Sequence, residues 1–244
     1  MISIDLNCDL GEGSGRDAQL MPLISSANIA CGGHAGDKVS MRALVALAIE
    51  HGVAVGAHPS FEDRENFGRR EIAVAPTALR EMVIRQISAL REFGPLRHVK
   101  PHGALYNLAA RDRRVADVMA DAVWKVDPSL FLFALAGSEL VRSARERGLI
   151  VAEEVFADRS YQPDGSLTPR SQDGALIHEE SRVVAQVLQM IKTGSVRAVD
   201  GTEVMIAADT VCLHGDGPHA VQFALALRRE LANAAVAVTA FRSR

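Results

Sequence analysis

Four apolar runs in this chain end in histidine. They are SSANIACGGHAG (His34), GVAVGAHPS (His58), RHVKPHGALYN (His102, two residues after Lys100) and DTVCLHGDG (His214, with Asp216 beyond it). The opening stretch SIDLNCDLGEG carries Asp5, Asn7, Asp9 and Glu12, and LIVAEEVFAD carries Glu154 and Asp158. Two chemistries use such a set. One is metal-assisted hydrolysis, with Asp9, His58, His102 and His214 as candidate ligands. No HxH or HExxH spacing supports it, because every ligand comes from a different segment. The other is metal-free acid–base attack on an amide. Asp5, Asp9 or Glu154 would activate water, while Lys100 and imidazoles would stabilise an oxyanion and protonate the leaving nitrogen. Asp5, Asn7, Asp9, Lys100, His102 and Glu154 are therefore the catalytic candidates. Glu12, Asn28, His34, His58, Asp158, His214 and Asp216 are candidates for substrate contact.

Positioning these groups requires strands whose C-terminal ends meet, as on the active face of an α/β barrel. Strand-like runs lie near 2–8, 27–31, 53–57, 97–101, 129–137, 149–158 and 209–215. Helical periodicity fills the gaps. KVSMRALVALAIEHG follows the N-cap Asp37 and stops at Gly52, and PTALREMVIRQISALREFG has Pro76 at its start and Gly94 after its end. Parallel neighbours need crossover helices, so seven strand–helix units predict a seven-stranded parallel β/α barrel, a TIM-barrel variant. The 244 residues form one domain on this reading, with AVAVTAF as a short extra strand. Side chains alternate along a strand. Asp5, Asn7 and Asp9 thus share one face and Ile4, Leu6 and Cys8 the other; the polar face is expected to point into the barrel. Polar groups converging there from at least five strands are too many for a purely structural lumen, because each unpaired buried charge is costly.

Two segments exceed a minimal barrel: 58–76 and 158–176. Long connections at strand C-termini are binding loops or lids more often than idle ones. They carry Arg64, Arg69, Arg70, Arg159 and Arg170, of which Arg64, Arg69 and Arg159 are candidates to hold a carboxylate or phosphoryl group. Other signals exclude classes. A formal charge of -3 with no basic stripe argues against nucleic acid. Three scattered cysteines, with no CxxC, argue against a disulfide framework or structural zinc. Cys31 is expected to pack against helices beside Ile29. No P-loop or GxSxG elbow occurs, and no apolar run reaches membrane-spanning length. A cytoplasmic protein is expected.

Taken together, IDLNCDLGEG, SSANIACGGHAGD, GVAVGAHPSFEDRENFGRR, HVKPHGALYN, LAGSEL, EEVFADRSYQPDGSLTPRSQDGALI and TVCLHGDGPHA resemble the LamB/YcsF family, the A subunits of 5-oxoprolinase. The resemblance runs from residue 4 to about 220. It implies a barrel related to polysaccharide deacetylases. It also implies ATP-dependent opening of 5-oxo-L-proline to L-glutamate, with ATP and Mg²⁺ as cosubstrates and 5-oxoprolinase subunits B and C as partners. Gly33 stands where the family more often has a bulky residue, Ser160 where Gly is usual, and Cys8 where Ala is common; of these, Gly33 lies beside His34 and is the departure that bears on pocket shape. The competing readings are a metal-dependent deacetylase or amidohydrolase, and a lactam- or sugar-binding subunit without chemistry of its own.

Overall fold

In the computed structural model, residues 2–243 are described. The barrel strands are β1 (Ile2–Leu10), β2 (Ser26–Ala30), β3 (Ala54–His58), β4 (His98–Val99), β5 (Phe131–Leu135) and β6 (Val151–Phe156). After them come β7 (Ser195–Arg197), β8 (Glu203–Met205), β9 (Thr210–His214) and β10 (Val236–Val238). The strands β1 to β6 pair in parallel in sequence order, β6 pairs with β9, and β9 returns to β1 through Asp5↔Thr210 to Asp9↔His214. The seven-stranded parallel barrel is thereby closed. β10 lies alongside the first residues of β1, in keeping with the short strand expected at AVAVTAF, and β7 and β8 form an antiparallel hairpin that no periodicity announces.

The connecting helices follow local chemistry. They are α1 (Asp17–Leu20), α2 (Lys38–Glu50), α3 (Pro76–Arg91), α4 (Gly103–Arg111), α5 (Arg113–Val126), α6 (Glu139–Glu146), α7 (Glu180–Thr193) and α8 (Ala220–Asn233). Asp37 caps α2 through the amides of Val39 and Ser40, and Ser40 returns the bond in a capping box. Asp112 caps α5, Ser138 caps α6, and α7 ends at Gly194 in the left-handed region. α4 differs from expectation; it begins directly after His102, so the segment read as a strand end turns at once into a helix. β4 is correspondingly shorter than the 97–101 stretch. Its pairing nevertheless continues irregularly, with Lys100 N–H donating to Ala57 O and His102 N–H to Pro59 O.

The alternation expected in β1 is present. Ile4, Leu6, Cys8 and Leu10 pack into the buried layer between barrel and helices, with Ile29, Val55 and Ala57 from the neighbouring strands. Asp5, Asn7 and Asp9 are buried inside the barrel. The lumen is layered. At the bottom Phe131 and Phe133 pack with Ala152, and Phe241 closes edge-on against both rings. Above lies a polar layer, and above that an open cavity at the strand C-terminal ends.

Gly56 explains how a ring fits between β3 and its neighbours. A Cβ built there would fall inside the imidazole of His98, which stacks on Phe133 at 4.1 Å. Gly56→Ala must push this ring out of its packed layer. The expected cost is about 1–3 kcal/mol in a urea unfolding titration, as for overpacked cores generally. An unchanged midpoint would show that the ring moves freely.

Candidate active site

The polar layer is one hydrogen-bonded network. Lys100 comes off the end of β4, and its Nζ lies 2.8 Å from Asp9 Oδ1, 3.0 Å from Glu154 Oε1 and 2.9 Å from Cys212 Sγ. Asn28 donates to Asn7 Oδ1 at 2.7 Å and to Asp9 Oδ1 at 2.8 Å, while His98 Nε2 donates to Asn28 Oδ1. Asn7 donates to Glu154 and Thr210. Burial alone would lower Lys100, but the charges of Asp9 and Glu154 outweigh it and hold the ammonium well above its usual range. Burial likewise opposes the Asp9 carboxylate; His58 and Lys100 outweigh it and keep Asp9 well below the carboxylate range. Asp9 and Lys100 are therefore an ion pair at the floor of the cavity.

Asp5 sits one layer deeper. It accepts from Ser25 and Ser26 at 2.7 Å each and from Thr210 at 2.5 Å. Burial pushes its carboxyl up to about 6 despite these three donors. A folded pKa above the unfolded value means that the stability contribution is complete below the unfolded pKa of about 3.8 and is lost as pH rises through about 6. The interval corresponds to about 3 kcal/mol. The difference in unfolding free energy between wild type and Asp5→Asn is therefore expected to move by about that amount against the wild type from about pH 4 to pH 7.5. A constant difference would show Asp5 to be ionised throughout.

The cavity, of about 720 Å³, opens at the strand C-terminal ends. Its wall is formed by Asp9 from β1, His58 from β3, Lys100 after β4, Leu135 from β5, Phe156 from β6 and His214 from β9. Glu12, Arg69, His102, Arg159 and Arg170 complete the part the sequence singles out. His214 Nδ1 lies 2.8 and 3.0 Å from the two oxygens of Asp158, and the ring stacks on Phe156. Burial opposes the Asp158 carboxylate, but His214 outweighs it and holds the group below its ordinary value. One ring nitrogen of His214 is within 4.8 Å of an Asp9 oxygen. The pair has the orientation logic of a carboxylate-backed imidazole, in which the acid fixes the ring and the far nitrogen moves protons.

On the opposite wall His34, His58 and His102 gather around Glu12. Glu12 Oε1 is 2.8 Å from His34 Nε2, 3.3 Å from His102 Nδ1 and 3.7 Å from His58 Nε2. His34 and His102 stack face to face at 3.7 Å. Burial drives His34 down to about 2 and His102 well below its usual value, so both rings are neutral. Burial, reinforced by the charges of Asp9 and Asp216, pushes Glu12 up to about 9.

Several expectations need correction. Arg64 does not reach the cavity; its guanidinium donates to the carbonyls of Gly32 and Gly36 on the exterior. Asp5, Asn7, Asn28 and Glu154 belong to the buried network beneath the floor and do not line the cavity. Arg69 and Arg159 do line the cavity; Arg69 pairs there with Asp216 at 2.9 Å, and Arg159 also donates to the carbonyls of Thr168 and Ala175, bracing the 158–176 loop. Gly33 faces Ser60 and Gln86 and not the cavity; a Cβ there would collide with both, so these residues fill the space a larger side chain would take. Cys31 packs outward as read, accepting from His58 N–H. Sequence reasoning missed His98 and Thr210. Both share a strand face with residues already chosen, His98 two before Lys100 and Thr210 four before His214, so period two was a sufficient signal.

The family model of LamB/YcsF matches residues 4–244. The chain belongs to the LamB/YcsF family. This LamB/YcsF chain is also similar to the solved structure of the lactam utilization protein from Thermus thermophilus. The two are 45% identical, with 98% of this chain and 100% of that one covered, at a TM-score of 0.93. A T48 deacetylase solved with substrate is 13% identical, with 99% of this chain and 94% of that one covered, at a TM-score of 0.50; that likeness is one of fold. Among the described residues, no helix is long and apolar enough to cross a membrane.

Proposed function

We propose that this barrel is the A subunit of an ATP-dependent 5-oxoprolinase, opening 5-oxo-L-proline to L-glutamate together with subunits B and C. The observation that carries the reading is the buried Asp9–Lys100 pair on the cavity floor, 2.8 Å apart, in a chain 45% identical to a protein named for lactam utilization. A five-membered lactam is a resonance-stabilised amide, and water attacks it only with help at both ends. Asp9, held ionised, accepts a proton from the attacking water, and Lys100 stabilises charge on the lactam oxygen. His214, braced by Asp158, delivers a proton to the departing nitrogen. His102 is less suited to that step because both its ring nitrogens are engaged, with His58 and with Phe67 O.

ATP drives the reaction by phosphorylating the lactam oxygen and releasing ADP. Water then adds to the ring carbon, the C–N bond breaks with a proton passing to nitrogen, and a second water converts the acyl phosphate to carboxylate and phosphate. The chain has no GxxxxGK[ST] loop, so ATP with Mg²⁺ is assigned mainly to the partners. Arg69, Arg159 and Arg170 on the cavity wall suit a phosphoryl group or the substrate carboxylate.

The test is glutamate and ADP release from 5-oxo-L-proline, ATP and Mg²⁺, with this chain alone and with subunits B and C. Release only in the full mixture is expected. No release from any mixture of folded proteins overturns the reading. ATP-independent hydrolysis of a simple amide or acetylated sugar by the chain alone would replace it with a metal-dependent amidohydrolase.

A further inference from the structure

We propose that Glu12, His58 and His102 form a binding site for a divalent transition-metal ion such as Zn²⁺, with His34 holding the Glu12 carboxylate in place. Two main-chain carbonyls fix where the ring hydrogens sit. His58 Nδ1 is 2.8 Å from the carbonyl oxygen of Lys100, and His102 Nε2 is 3.0 Å from that of Phe67. A carbonyl only accepts, so each of these nitrogens carries the ring hydrogen. The other nitrogen of each ring is then the one placed to bind a metal ion. Those nitrogens, His58 Nε2 and His102 Nδ1, face each other at 3.0 Å. Glu12 Oε1 stands 3.3 Å from His102 Nδ1 and 3.7 Å from His58 Nε2, and Asp9 Oδ2 stands 3.4 Å from His58 Nε2. Glu12 Oε1, His58 Nε2 and His102 Nδ1 thus lie close enough to one another to share a single ion.

The spacing selects a metal. Tetrahedral zinc with bonds of about 2.0–2.1 Å places its ligand atoms about 3.4 Å apart. The three separations here are 3.0, 3.3 and 3.7 Å. Two imidazoles and one carboxylate match the donor set of hydrolytic zinc sites, which keep a fourth position open. All three ligands line the cavity, so that position faces substrate space. The surroundings are those of a ligand shell: each histidine donates its remote N–H to a main-chain carbonyl, the arrangement that fixes metal-binding tautomers. His34 Nε2 lies 2.8 Å from Glu12 Oε1 and acts as the carboxylate's orienting donor. It is not a fourth ligand, because its ring is parallel to His102 within 2° at 3.7 Å, and stacked rings cannot aim their lone pairs at one ion. A second group, Asp9, Cys212 and His214, already has the Lys100 ammonium 2.8 Å from Asp9 and 2.9 Å from Cys212. Its cation is thus built in.

Occupancy is independent of the lactam assignment, and the metal is counted with no substrate present. The full-length chain is loaded with Zn²⁺, dialysed against metal-free buffer and measured by inductively coupled plasma mass spectrometry. One zinc per chain is expected. Glu12→Gln, His58→Ala and His102→Ala are each expected to weaken retention by at least about 100-fold, and His34→Ala by about 10- to 100-fold, the range for groups that orient ligands. His214→Ala is expected to retain the ion. Wild type holding well under one equivalent, or ligand variants holding as much as wild type, overturns the site. Should the variants not fold, wild type loaded with Co²⁺ decides by proton NMR. Two strongly shifted ring N–H resonances, from His58 Nδ1–H and His102 Nε2–H, support the site, and their absence removes it.

Discussion

Lys100→Met is expected to lower the free energy of unfolding by about 3–5 kcal/mol at pH 7 and to abolish glutamate formation. The magnitude is that of breaking a buried ion pair from one side. Lys100 is 2% exposed and its ammonium serves Asp9 and Glu154 together, at 2.8 and 3.0 Å. Without it, two carboxylates face each other across a few ångströms with only amides between them. The second Glu154 oxygen has no hydrogen-bond partner, so the ammonium is the main compensation for that charge. The pH dependence distinguishes this from simple loss of packing. Acid neutralises the carboxylates that Lys100 no longer balances, so the deficit of the Met variant is expected to shrink between pH 7 and pH 5. Urea titrations at both values read this directly. A deficit that stays constant with pH would mean that the side chain contributes packing and that the carboxylates already hold a proton in the wild type.

That network explains why the sequence is so informative here. Charge is expensive inside a barrel, so Asp5, Asn7, Asp9 and Lys100 stand out against the Ile, Leu and Val around them, and period two assigns their direction without a structure. The strand count and the two long loops are legible for the same reason. Depth and reach are not legible in this way. Asp5 and Asp9 lie on one face of β1, but only the pairing register with β9 and β2 shows that the first is beneath the floor and the second in the cavity. Arg64 and Arg69 are five residues apart in one loop, yet backbone turns send one to the carbonyls of Gly32 and Gly36 and the other to Asp216. The Glu12 cluster is visible in the sequence as four separate residues; that two carbonyls fix its tautomers depends on where Lys100 O and Phe67 O lie, which no local pattern encodes. The β7–β8 hairpin has short strands of three residues, too brief for alternation to register.

The register of β1 against its neighbours makes Asp9 the decisive residue. Asp9→Asn keeps the size of the side chain and an oxygen for Asn28 and Lys100, and it removes only the negative charge. The neighbouring shell of Asn7, Asn28 and His98 is left in place. Turnover of 5-oxo-L-proline by the assembled enzyme is therefore expected to fall about 10²- to 10⁴-fold, the usual contribution of a positioned base. KM should change little, because the arginines that suit the substrate's anionic groups are Arg69, Arg159 and Arg170, all on other segments. The cost in stability should stay below that of Lys100→Met, at about 1–3 kcal/mol, because Glu154 remains 3.0 Å from the ammonium as its counterion. These three readouts separate the roles. A binding role raises KM and spares kcat. A scaffold role shows as a large loss of stability with kcat falling in proportion to unfolded protein. Only a group acting on the reacting water lowers kcat by orders of magnitude in a protein that still melts as a folded barrel. Glutamate production at the wild-type rate would remove Asp9 from the chemistry and leave the ion pair with Lys100 as structural support alone.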